Sequence, residues 1–432
     1  MKKVLKLIAL VLCLCFVANL VACTGDEANE DKVTSQKVYN TLFQTATTVA
    51  PNSTTVITTE AAEDTSADSQ ENEIAGNPFN TVKREEEKPV FEQIYDMRKI
   101  SSKQLLSQMG SGITLGDSFT ARGLPEGSEI ADYETFYNNP VVAKALIDAY
   151  KKAGFSAVRI PICWSDHIDE NGVVDIAFLD RIEEVVDYCI DNYLYCIINS
   201  QNDQNWLTTK AENFEKTKAK FKQMWTDISN KFIGYNDWLI FEGISDVLKA
   251  ENDKSAPSKN DYKNANKLNQ AFVDAVRKTG GNNAKRHLVV STYGAFIDTA
   301  SLEAFSVPKD SVKNKLIAKV NIYAPSSFCL DESQDNIWGT GENKYYIETA
   351  LNIINKRFEK LKIPVIVGEF GAVDKGNTSA RAAYAKHVVA TAYNYYIVCF
   401  WNDNGQNMEL FDRRNCQVIA TNIVNNLIWS AS

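Results

Sequence analysis

From about residue 105 onward, short runs of consecutive apolar residues alternate with stretches whose apolar residues recur every three or four positions. The runs fall at Gly112–Gly116, Ala157–Cys163, Tyr195–Ser200, Trp238–Ile244, His287–Tyr293, Ile317–Ala324, Pro364–Phe370 and Val398–Trp401. Apolarity without a break over a strand's length requires cover on both faces, the condition of a parallel sheet wrapped in helices. The stretches between are Val141–Ala153, Ile176–Asn192, Asn213–Ile233, Tyr262–Thr279, Tyr345–Lys360 and Ala380–Tyr395. Within Ile176–Asn192, Leu179, Ile182, Val186 and Ile190 line one helical face. Eight strand–helix units in roughly 320 residues predict an α/β fold, a single (β/α)8 TIM barrel, whose usual length is about 250 residues with room for loop insertions. A doubly wound open sheet is the alternative. It would need a glycine-rich turn after the first strand, whereas Gly110-Ser111-Gly112 comes before it. A barrel places its chemistry where strands end and βα loops begin.

The first 90 residues do not follow this plan. Lys2, Lys3 and Lys6 precede an apolar run from Leu7 to Ala22, and Leu20-Val21-Ala22-Cys23 closes it with small residues before a cysteine. A short apolar stretch with a basic flank and a small-residue exit reads as an export signal over residues 1–22. Its ending resembles a bacterial lipobox, which implies cleavage before Cys23, lipidation of that residue and anchorage to the outer face of the cell membrane. Residues 23–90 are rich in Thr, Ser, Asn and Glu, and they carry most of the formal charge of −9. Such a segment buries too little apolar surface to offset its ordering entropy, so a disordered tether is expected there, with the barrel over 91–432. No basic stripe interleaved with aromatics appears, which argues against a nucleic-acid partner. His167, His287 and His387 lack ligand spacing, and no metal site is expected. Cys163, Cys189, Cys196, Cys329, Cys399 and Cys416 form no C-x-x-C pair and read by default as buried free thiols.

The strand ends assemble a polar and aromatic rim: Asp117, Arg159 and Trp164, then Gln201, Asn202, Asp203 and Trp206, then Ser245 and Asp246, Tyr293, Asn321 and Tyr323, Glu369, and Trp401 with Asn402 and Asp403. Aromatic faces suit the apolar C–H faces of sugars, and amides and carboxylates suit their hydroxyls. Asp246 and Glu369 close strands four and seven, on opposite sides of the mouth. Two carboxyls facing each other across a bond are what glycoside hydrolysis requires. Each could instead cap a loop or pair with Arg159. Asp203 is a further carboxyl, less well placed.

Three stretches resemble glycoside hydrolase family 5: Gly154-Phe155-Ser156-Ala157-Val158-Arg159-Ile160-Pro161, Leu239-Ile240-Phe241-Glu242-Gly243 and Pro364-Val365-Ile366-Val367-Gly368-Glu369-Phe370-Gly371. Asn269 to Asp274, Thr279-Gly280-Gly281-Asn282-Asn283 and Trp401-Asn402-Asp403-Asn404-Gly405 are similar to its bacterial endo-β-1,4-glucanase branch. The resemblance implies Glu369 as nucleophile, Arg159 as the arginine that keeps it ionised, Trp401 as an aromatic platform, and no cofactor. The same comparison shows departures at the mouth. The family's Asn-Glu-Pro at the end of strand four is Ser245-Asp246-Val247, and its strand-three His pair is Gln201-Asn202. The histidine before Tyr323 is Asn321, and Thr114 and Asp117 stand where related enzymes carry Asn. Shortening the acid by a methylene exceeds the ~0.5 Å tolerance of a preorganised group. The expectation is therefore a cell-surface protein that binds β-glucan or a related plant polysaccharide through Arg159, Trp164, Gln201, Asn202, Trp206, Ser245, Tyr293, Asn321, Tyr323 and Trp401, with little or no hydrolysis. The alternative is an active retaining endo-β-glucanase with Glu369 as nucleophile and Asp246 as acid/base.

Overall fold

The computed structural model describes residues 96–210, 212, 214–251, 253, 255–333 and 337–429. The export signal of residues 1–22, Cys23 and the tether of 23–90 lie outside the described residues.

Eight parallel strands close into one barrel in sequence order: β1 Gly112–Leu115, β2 Ala157–Ile160, β3 Tyr195–Ile198, β4 Leu239–Glu242, β5 Leu288–Ser291, β6 Leu316–Ile322, β7 Val365–Phe370 and β8 Val398–Asp403. β1 pairs with β8, Ile113 opposite Trp401, which completes the ring. The (β/α)8 expectation holds strand for strand. The helices extend each amphipathic stretch by a turn or trim it: Lys144–Ala153, Ile176–Asp191, Phe214–Lys231, Lys259–Lys278, Gly341–Leu361 and Thr378–Tyr393. Their starts are chemically marked. The Asp175 side chain accepts from Ala177 N–H, Ser258 makes a capping box with Asp261, and Thr340 accepts from Asn343 N–H. Lys144–Ala153 ends at Gly154, whose φ of 102° is left-handed.

The barrel wall separates two apolar clusters. The outer cluster packs alternate strand residues, among them Val158, Ile160, Phe241, Val367 and Trp401, against the helices. The inner one comprises Ala157, Ile197, Ile240, Val289, Ile317, Ile366, Val398 and Phe400. Leu105, Leu106 and Met109, from the short helix Ser102–Ser107 and just after it, close it from below. That helix, and the helix Thr421–Trp429 packed against Thr378–Tyr393, are not marked by the apolar period. The first is too short to show one, and the second lies beyond the last apolar run.

The one irregularity that matters is at β7. The register between β6 and β7 shifts between Val320 and Asn321, so that Asn321 stands opposite Glu369. Strict alternation from Ile366 would turn Gly368 inward and Glu369 outward. The extra residue of a bulge re-aims the strand and brings Glu369 into line with the inward series Ile317, Lys319, Asn321. Gly368 tolerates this because a Cβ there would lie 2.4 Å from Lys319 Cε.

Candidate active site

Above the apolar floor, the inward positions turn polar. Arg159 on β2 is wholly buried and organises the layer. Its Nε and Nη2 donate to both oxygens of Glu242 at 2.7 and 2.8 Å, and Nη1 donates to Glu369 Oε1 at 2.8 Å. Nη2 also reaches Ser245 Oγ at 2.9 Å and Gln201 Oε1 at 3.4 Å. A planar guanidinium can hold several acceptors at once in fixed geometry, which a lysine cannot. Glu369 is 7% exposed, so one face of its carboxyl meets the mouth. Its other oxygen accepts from Tyr323 Oη at 3.3 Å and Asn321 Nδ2 at 3.5 Å, and Asn402 Nδ2 in turn donates to Tyr323 Oη at 3.1 Å.

Asp246 sits just past β4 in a different environment. It is partly accessible, yet its Oδ1 is sealed from solvent and has no hydrogen-bond partner. Burial pushes its carboxyl up, Lys319 opposes this and Glu369 adds to it, and the balance is about 7. Near neutrality this group carries a proton for part of the time. Glu242 behaves in the opposite way: burial works against its charge, but Arg159 and Lys319 outweigh it and hold the carboxyl below its ordinary value. Asp117, past β1 with a φ of 55°, is pushed up to about 6 by burial, against Arg413 and its hydrogen bond from Thr120, with Glu369 adding to the rise.

Most of the expected residues converge here: Glu369, Asp246, Arg159, Gln201, Ser245, Asn321 and Tyr323. Asn202 is nearby but structural in its bonding, its Nδ2 donating to Thr120 O at 2.8 Å and tying the third loop to the first. Trp206 remains half-buried at the rim with Lys220 over its ring at 4.9 Å. Asp203 is consumed by its loop, accepting from Trp164 N–H, Ser165 and Ser200.

Three aromatic expectations are corrected. Trp164 is 0% exposed, its indole N–H donates to Asn199 O at 2.8 Å, and its ring meets Phe178 edge-on. Tyr293 is 5% exposed and its hydroxyl accepts from Lys249 N–H. Trp401 is 0% exposed in the outer cluster, donating to Met408 O and lying against Phe370. Strand alternation explains the last case: on β8 Phe400 and Asn402 face inward, so Trp401 must face the helices. None of the three offers a sugar a free face. The apolar pattern gives no sign that Lys319 belongs to the site, nor that Phe136 and Tyr137 form an accessible pair in the loop after β1. Phe136 is 49% exposed, its ring 4.9 Å from Tyr137, and Tyr137 lies close enough to Asp117 to feel its charge.

Residues 120–408 match the cellulase family, glycosyl hydrolase family 5. The chain belongs to this family. Among the family 5 relatives, Endoglucanase A of Clostridium longisporum is 36% identical over 73% of this chain, which spans 61% of that protein's length. Endoglucanase A of Paenibacillus barcinonensis is 33% identical over 76% of this chain and 90% of its own. A broad specificity endoglucanase from Ruminococcus champanellensis, solved with bound cellotriose, superposes with a TM-score of 0.74 at 32% identity, covering 77% of this chain and all of that one. The family 5 fold is thus complete in the barrel.

Proposed function

We propose that the protein is a retaining endo-β-glucanase in which Glu369 is the nucleophile and Asp246 the acid/base. The observation that carries this reading is the contrast between the two carboxyls. Glu369 is clamped by Arg159 at 2.8 Å, and Asp246, which makes no ion pair among the described residues, holds its proton up to about 7. Pairs of carboxyls whose environments differ in this way divide into acid and base roles. In the first step Asp246 gives its proton to the glycosidic oxygen as Glu369 attacks the anomeric carbon; the C–O bond breaks and a glycosyl ester forms. In the second, Asp246, now a carboxylate, takes a proton from water, whose oxygen attacks the same carbon and releases Glu369.

The departures from the family pattern argue for a slower enzyme, not for an empty binding cleft. Asp is a methylene shorter than Glu, and general acid help is worth roughly 10²–10⁴ in rate, so imperfect reach removes part of that factor. The substrate proposed is a β-1,4-linked glucan, in line with the endoglucanase relatives. Trp206, Phe136 and Tyr137 are the aromatic faces left to grip it.

The test is to trap the ester. A 2-deoxy-2-fluoro cellobioside with a good leaving group, incubated with the full chain, is expected to add one fluorocellobiosyl mass to Glu369, mapped by peptide digestion. A folded protein that binds the compound and never acquires the mass would remove Glu369 from the role and leave the binding-only reading.

We also propose that the barrel is exported and lipid-anchored at Cys23, outward of a cell membrane. Support is the register of the basic start, apolar run, small residues and cysteine. Protein extracted from membranes is expected to carry acyl mass on an N-terminal Cys23. Recovery of an unmodified, soluble mature chain would refute this.

A further inference from the structure

β6 reads Leu316-Ile317-Ala318-Lys319-Val320-Asn321-Ile322, and its lysine points into the barrel. Lys319 is 0% exposed. Its Nζ donates to Ser245 O at 2.9 Å and Ser245 Oγ at 3.0 Å, and lies 3.7 Å from Glu242 Oε1. An ammonium group withdrawn from water is unfavourable by several kcal/mol unless acceptors replace the lost hydration, and an apolar residue of similar volume would avoid the loss. The site instead accommodates the chain fully. Gly368 leaves open the space that the lysine stem fills, since a Cβ there would lie 2.9 Å from Lys319 Cγ.

Lys319 does not bond Glu369, which has Arg159. It is directed at the residue before Asp246. Both Ser245 atoms that it grips belong to the turn that carries Asp246 into the mouth, and Arg159 holds the same hydroxyl from the other side. The charges facing this point can be named from each strand: Arg159 from β2, Glu242 from β4, Lys319 from β6 and Glu369 from β7. Two cations meet two carboxylates, and Asp246 is the extra acid. The loop after β3 contributes two amides, Gln204 Nε2 donating to Asp246 O at 3.3 Å and Gln201 Oε1 accepting from Arg159 Nη2 at 3.4 Å.

We infer that Lys319 is a positioning residue of the active site, holding the Ser245–Asp246 turn in place and setting the electrostatic surroundings of Asp246. This deepens the hydrolytic reading and rests on it for its effect on rate, but its effect on Asp246 can be read without turnover. Removing the positive charge takes away the larger of the two cationic influences that oppose burial, Arg159 being the other, so Asp246 must then hold its proton to higher pH.

The experiment is a carbon-13 titration of aspartate carboxyls in the full chain, with the Asp246 signal assigned by its loss in Asp246→Asn. Lys319→Met keeps the stem and removes the head, and Lys319→Gln keeps a donor without charge. Unfolding curves establish that each variant is folded. The expected result is an upward shift of the Asp246 midpoint by about one pH unit or more in both variants, and a matching shift of the alkaline limb of hydrolysis with kcat falling more than KM rises. An unmoved midpoint in both folded variants would overturn the inference. A shifted midpoint in a chain that never hydrolyses glucan would uphold it and count against the hydrolytic reading instead.

Discussion

Glu369 and Asp246 share one barrel mouth but are held differently: Arg159 bonds Glu369 Oε1 at 2.8 Å, whereas Asp246 Oδ1 is buried without a hydrogen-bond partner. The asymmetry follows from strand positions. β2 and β7 aim a guanidinium and a carboxyl at each other across the barrel, and Asp246 follows just past β4, where Glu242 already takes the Nε–Nη2 edge of the guanidinium.

The first consequence concerns pH. Asp246 must be protonated to act as acid, and its midpoint is about 7. Activity on a soluble β-glucan is expected to fall as pH rises through about 7. That limb belongs to the coupled pair Asp246 and Glu369, so Glu369→Gln, which removes turnover, should lower the Asp246 midpoint read by carbon-13 titration. A profile flat from pH 6 to 9 would remove Asp246 from the acid role.

Stability should show the same group. Its folded midpoint lies above the unfolded value of 3.8, so the contribution it makes is fully present below about pH 4 and is lost as pH rises through about 7. Asp246→Asn removes that dependence. The variant is expected to unfold at higher denaturant than the parent at pH 8, by on the order of 2 kcal/mol, and to lose this advantage by pH 4.

Lengthening the acid is the most informative gain-of-function change. Asp246→Glu adds the methylene that the family 5 resemblance implies for the acid at this position. Turnover is expected to rise about tenfold or more, with KM little changed. An equal or lower kcat from a folded variant would mean that the β4 turn has been rebuilt around the shorter side chain.

Tyr323 donates to Glu369 and is itself held by Asn402. Tyr323→Phe leaves the ring and removes the donor, about 1 kcal/mol of stability in a typical case. Its effect on kcat should be larger, about tenfold, because the hydroxyl fixes the nucleophile.

The tryptophans should separate cleanly. Trp164→Ala is expected to cost about 3–5 kcal/mol of folding stability, as for any large core deletion. Trp206→Ala should instead weaken cello-oligosaccharide binding several-fold in calorimetry, at a smaller stability cost than Trp164→Ala because Trp206 is only half-buried. The reverse result would return Trp164 to the binding surface.

These contrasts mark what the sequence could convey. The eight strands were legible because burial on both faces imposes short apolar runs that alternate regularly with amphipathic stretches from about residue 105 onward. Arg159 and Glu369 were legible because they lie near strand ends within long matching stretches, and Tyr323 because it lies near the close of the apolar run of β6. The roles of Trp401 and Lys319 were not. Whether a β8 residue faces inward depends on a parity that a run of apolar residues hides, and it gave Asn402 the inward place. Lys319 sits inside an apolar run where a charge reads as an exposed edge, and only the missing Cβ of Gly368 shows that the barrel has room for it. The bulge that turns Glu369 inward likewise has no local signature apart from that glycine.

The central claim is tested most directly by reducing-end release from a soluble mixed-linkage β-glucan, using the full chain and its Glu369→Gln variant. Slow, sustained release is expected from the parent chain and none from the variant, whose fold and affinity for cello-oligosaccharides persist. No release from a folded parent chain that still binds the glucan would contradict it.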